Sequence, residues 1–116
     1  MDFQETQIEE LKKIAPNLSI AEEGGFTYIL IEKLQLPDGC VPPIVDALLC
    51  PMFKDGYQST LFYSTQPTGY PSRNSSHNWN RTNVRILDRN WFAQSWQVPN
   101  GLKLVEMLLI HLDSLR

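Results

Sequence analysis

No apolar run in this chain approaches the roughly 20 residues that a bilayer-spanning helix needs, so no transmembrane helix is expected. The opening Met-Asp-Phe-Gln-Glu-Thr has neither the basic nor the apolar segment of a secretion signal, and a cytoplasmic location is the default expectation. Cysteine is scarce. Only Cys40 and Cys50 occur, and in that compartment they are expected as free thiols rather than a disulfide. Cys-X-X-Cys and His-X-X-X-His spacings are missing, and His77 and His111 are the sole histidines, so neither a metal site nor a cofactor is expected. A basic excess is missing as well: ten basic residues against thirteen acidic give a net charge of -3, which is no global nucleic-acid signature.

What remains is the composition of an ordinary globular domain, with 42% apolar and 20% charged residues in 116, enough to bury one core as a single domain over residues 1–116. The charge is unevenly spread. Residues 1–38 carry eight acids and three bases, whereas residues 39–116 carry five acids and seven bases, an asymmetry able to orient a partner.

Residues 3–15 read as a helix, because Ile8, Leu11, Ile14 and Ala15 recur at helical spacing while Glu5, Glu9, Glu10, Lys12 and Lys13 supply a wet face. Pro16-Asn17 ends it. After a turn at Glu22-Glu23-Gly24-Gly25, residues 26–36 are rich in strand formers, and Leu36-Pro37-Asp38-Gly39 is the next turn signal. Residues 44–50 read as a second strand stopped by Pro51, and residues 58–64 as a third after the Lys54-Asp55-Gly56-Tyr57 turn. Short turns between consecutive strands predict an antiparallel meander of three or four strands with a helix on one face. Residues 65–83, rich in Pro, Asn and Ser/Thr, read as a long irregular loop, and such loops are functional or disordered. Residues 84–96 regain a short strand or extended segment. The last helix is marked by an apolar stripe of Leu102, Val105, Leu108, Leu109, Leu112 and Leu115, with Asn100 as its expected N-cap and His111 at the surface or boundary. Trp96, just ahead of it, is expected to pack on that helix.

Helix, meander, long loop, Trp and a final helix, in this order, resemble the ubiquitin-conjugating-enzyme (UBC) fold, and the chain looks most like its prokaryotic UBC-like family E. The residues that carry the resemblance are the Leu36-Pro37-Asp38-Gly39 turn, Asp46 within the next strand, Gly56-Tyr57 with Leu61-Phe62-Tyr63, Arg89, and Trp96-Gln97-Val98-Pro99-Asn100-Gly101, spanning roughly residues 25–116. The resemblance implies an α+β fold with the C-terminal helix packed on the sheet. It also implies a place in a bacterial ubiquitin-like modification system, alongside a ubiquitin-like modifier, an adenylating activating-type enzyme and a JAB-type metalloprotease. Two departures stand out. No cysteine lies between His77 and Trp96, where conjugating enzymes of this resemblance carry their nucleophile, and the family's Ser-Arg-His reads Asp88-Arg89-Asn90 here.

Three functional readings follow. The first is a non-catalytic module binding the modifier or its activating enzyme, with Arg89, Trp91 and Tyr57 as contact residues, since arginine and aromatics dominate protein–protein hot spots. The second makes Cys40 or Cys50 a displaced thioester carrier, which demands an accessible thiol of lowered pKa. The third takes Arg73, Arg81, Arg85 and Arg89, interleaved with Trp79 and Trp91, as a groove for single-stranded nucleic acid. The acidic balance of the chain ranks that last.

Overall fold

The computed structural model describes residues 5–70, 79 and 81–116. Two helices and a six-stranded antiparallel sheet make an α+β domain: α1 (Glu5–Lys12), β1 (Leu18–Glu23), β2 (Phe26–Gln35), β3 (Ile44–Cys50), β4 (Thr60–Tyr63), β5 (Arg81–Ile86), β6 (Arg89–Ala93) and α2 (Leu104–Asp113). The strand order is β1-β2-β3-β4-β6-β5, so the first four form a sequential meander and the last two a hairpin joined to it through the single pair Tyr63 and Phe92. Of the irregular loop expected over 65–83, residues 71–78 and 80 lie outside the described residues, Arg73 and His77 among them. The end of that stretch is no loop, because β5 already begins at Arg81.

The sheet exceeds the expected three or four strands for two local reasons. The first strand, β1, escapes a sequence reading because Leu-Ser-Ile-Ala-Glu-Glu shows no strong strand pattern. It forms because Gly24 and Gly25, both with positive φ, turn the chain directly into β2 and pair Glu23 with Phe26. The β5–β6 hairpin turns through Leu87 and Asp88, at φ 52 and 63, a two-residue turn built without glycine or asparagine and therefore without the usual sequence signal.

Alternation along the central strands divides two cores. On one face, Ile29, Ile31, Ala47, Leu49, Leu61 and Tyr63 meet Leu11 and Ala15 near α1 and Leu104, Leu108, Leu112 and Leu115 near α2. On the other, Tyr28, Leu48, Cys50 and Phe62 meet Ile86, Trp91 and Ala93 of the hairpin. Both faces of β2, β3 and β4 are thus covered, which explains why these strands are apolar almost throughout.

The last helix starts later than its sequence suggests. Asn100 is not its N-cap: Asn100-Gly101 turns the chain, and the cap falls on Lys103, whose N–H donates to Glu106 Oε1 at 2.9 Å. The next amide, Leu104 N–H, donates to Gln7 Oε1 of α1 at 3.2 Å, tying the two helices at their polar ends. With Leu102 outside the helix, the buried stripe becomes Leu104, Leu108, His111, Leu112 and Leu115, and Leu109 is exposed. His111 is therefore not at the surface: it faces the sheet, 3% exposed. Trp96 is half-buried.

Candidate functional site

Two polar constellations sit on this scaffold. The first gathers around Asp46. At Lys33 a bulge breaks the β2–β3 register, and Lys33 itself adopts a left-handed backbone at φ 55. That bulge turns the Lys33 N–H toward β3, where it donates to Asp46 Oδ1 at 3.0 Å. The second carboxylate oxygen, Oδ2, accepts from Arg89 Nη2 at 3.0 Å, and the Asp46 main chain exchanges bonds with Ser64, its N–H donating to Ser64 Oγ and its carbonyl accepting from Ser64 N–H. The Lys33 amide, ahead of the Arg89 guanidinium, holds the Asp46 carboxyl below its usual range against the opposing effect of partial burial.

Arg89 is in turn laid over the Trp91 ring, 4.6 Å from guanidinium carbon to ring centroid. Trp91 is completely buried, its indole N–H donating to the Ile86 carbonyl at 2.9 Å, so the contact role expected of it passes to the arginine above it. With its side chain 42% exposed, Arg89 offers a guanidinium pre-oriented by a carboxylate and an aromatic plate. A small open recess of about 190 Å³ is lined by Asn17, Glu32 and Lys33, the residue whose N–H holds Asp46. Tyr57, the third expected contact residue, stands apart, with Arg81 stacked on its ring at 4.2 Å.

The second constellation was not foreseen. Ser59 Oγ and His111 Nε2 lie 2.6 Å apart, with Ser59 1% and His111 3% exposed. Ser114 Oγ donates to the His111 main-chain carbonyl and accepts from Gln94 Nε2, while the Gln94 main-chain carbonyl accepts from Arg81 Nη2 at 2.7 Å and Thr60 Oγ1 from Arg81 Nη1 at 3.1 Å. Burial, with a smaller contribution from the Arg81 charge, drives the His111 pKa down to about 3, so the ring is neutral. A Ser–His pair is the chemistry of an activated hydroxyl, but the reacting carbonyl must reach it, and this pair is sealed inside the domain. It is a tie between α2 and the sheet. No sequence motif marks it, since its partners are 52 positions apart.

The cysteines do not join either group. Cys40 is 4% and Cys50 0% exposed, and burial raises both thiols above their ordinary pKa, the opposite of what a thioester carrier requires. Trp79 packs edge-on against Tyr63, so its ring is already engaged. Tyr63 Oη is buried without a hydrogen-bond partner among the described residues. Among the described residues no group of three His, Cys, Asp or Glu could hold a metal ion, and no helix is long and apolar enough to cross a membrane. Comparison with protein-family models, curated proteins and solved structures returns no match for the chain.

Proposed function

We propose that the chain is a UBC-like, non-catalytic binding module of a bacterial ubiquitin-like modification system, engaging the modifier or its adenylating enzyme through the Arg89 surface. The observation that carries this reading is the contrast between Arg89 and the thiols. The guanidinium is presented on an aromatic plate and fixed by Asp46, while both cysteines are sealed with raised pKa. Further support is that Asp46 and Arg89, both among the residues that carry the family resemblance, form one ion pair across 43 positions. The β1–β4 meander with helices on one face is also the arrangement that the resemblance implies. A JAB-type protease is a further partner of the same setting.

Burial of both thiols weighs against the displaced-cysteine enzyme. The nucleic-acid reading loses its stacking platforms, because Trp91 is buried and Trp79 is packed on Tyr63. The test incubates the protein with modifier, activating enzyme and ATP, then runs a non-reducing gel beside a co-elution assay. Expected are no reductant-sensitive adduct and co-elution with at least one partner, weakened about 10-fold by Arg89→Ala, the worth of one good anchor. An adduct lost in Cys40→Ser or Cys50→Ser would overturn the reading and name the nucleophile.

A further inference from the structure

The two edges of the sheet differ. At the β5 edge the register slips between Arg81 and Val84, Asn83 sits in the left-handed region at φ 54, and exposed Arg85 adds charge, the devices by which an edge is closed to pairing. The β1 edge has no such guard. It runs six residues in unbroken register against β2, with no proline, lysine or arginine.

Hydrogen-bond parity shows which backbone groups of β1 face outward. The two-residue Gly24-Gly25 turn makes Glu23 and Phe26 a bonded pair, and the Asn17 carbonyl accepts from Glu32 N–H at 2.9 Å. Residues 17, 19, 21 and 23 therefore bond inward to β2. The N–H and C=O of Leu18 and Ile20 point to the open side, where no described residue pairs with them. Ile20 is 50% exposed at the centre of this strand.

Charge says what would fit. From residue 16 to residue 32 the chain carries Glu22, Glu23 and Glu32 and no base; Lys33 follows, and the Glu23 carboxylate accepts from Leu87 N–H at 3.2 Å, which leaves Glu32 as the main acidic group of its face. We propose that β1 is a docking edge for an extended partner segment that alternates apolar and basic side chains and adds as a seventh strand. Its backbone takes the Leu18 and Ile20 groups, an apolar side chain covers Ile20, and its basic side chains lie on the opposite face, that of Glu23 and Glu32. The proposal does not depend on Arg89 contacting a partner.

The parity supplies a selective variant. Because the Ile20 N–H is outside the β1–β2 ladder, Ile20→Pro removes an edge donor without removing a sheet bond, whereas Ala21→Pro breaks the ladder. A fluorescent peptide of alternating valine and lysine is titrated into the full chain, with a valine–glutamate peptide as control. Amide shifts and hydrogen exchange are read in parallel.

The expected result is saturable binding of the basic peptide with shifts centred on residues 18–23, slowed exchange at Ile20, and binding weakened at least about 10-fold in Ile20→Pro with its far-UV signal retained. Glu32→Lys, on the face that takes the basic side chains, should weaken it as well, which keeps the test open if the proline variant does not fold. The proposal is overturned if the basic peptide does not bind, or if a folded Ile20→Pro protein binds it as well as the parent. It is equally overturned if the acidic peptide binds equally well, if the shifts fall on β5, or if β1 is already occupied by a second copy of the chain.

Discussion

The Asp46–Arg89 pair and the Ser59–His111 pair are both long-range polar contacts between the meander and a C-terminal element, and their surroundings give them opposite characters. Asp46 and Arg89 are charged and partly exposed, with side chains 32% and 42% accessible. Water screens their attraction, so the pair contributes little to stability, while Arg89 remains available to another molecule. Ser59 and His111 are neutral and sealed, so every hydrogen bond they lose leaves a buried polar group unmatched. A contact of similar length thus displays a charge in one place and locks a helix in the other.

The largest effect expected from breaking this contrast is at His111. Replacing it by alanine removes a buried ring and strands the Ser59 hydroxyl, costing about 3 kcal/mol, read as a lowered denaturation midpoint. Acid should act on the same bond. In the unfolded chain the imidazole takes a proton near 6.5, whereas in the folded chain it does so only near 3. The unfolded state therefore binds more protons in that window. Stability from this group is complete above pH 6.5 and is lost as the pH falls toward 3, by about 1.4 kcal/mol for each pH unit. Denaturation followed from pH 7 to pH 4 should show that slope in the parent and its loss in His111→Gln. Asp46, whose pKa is also lowered, adds loss in the same direction only below the ordinary carboxylate range.

A smaller effect sharpens the other half of the comparison. Asp46→Asn should cost no more than about 1 kcal/mol, because the pair is solvated, yet it frees Arg89 from its anchor and should weaken partner co-elution as Arg89→Ala does. Unchanged co-elution would mean that the aromatic plate alone positions the guanidinium. Tyr63→Phe removes a buried hydroxyl that has no partner among the described residues and should be neutral or stabilising by about 1 kcal/mol in thermal melts. Smallest is Asp88→Gly, which relieves a left-handed backbone in the hairpin turn and should stabilise by about 0.5 kcal/mol.

Strong local signals were legible in the sequence. The alternation over β2, the proline stop after β3 and the helical stripe of α2 put these elements close to their places, because each depends on neighbours within a few residues. Elements without a local signal are not legible in the sequence. The weakly patterned β1 was missed, and so was a hairpin turning through Leu87-Asp88. His111, expected at the boundary as a polar residue, lies three residues after Leu108 and four before Leu115, and that spacing puts it on the buried stripe. Of the expected contact residues, Arg89 lies partly exposed over an aromatic ring, whereas Trp91 is buried beneath it. A tryptophan in a short strand reads alike whether it faces outward or becomes the plate beneath a cation.

The sequence by itself determined the α+β class, with a meander followed by a helix, since turn chemistry and side-chain periodicity act over a few residues and need no distant partner. It also determined that no cysteine lies between His77 and Trp96. Tertiary structure alone decided which polar groups meet. Asp46 reaches Arg89 across 43 positions and Ser59 reaches His111 across 52, and burial then sets one pair as charged and displayed, the other as neutral and sealed. Ionisation follows the local dielectric and the nearest charges, and those exist only once the chain has packed.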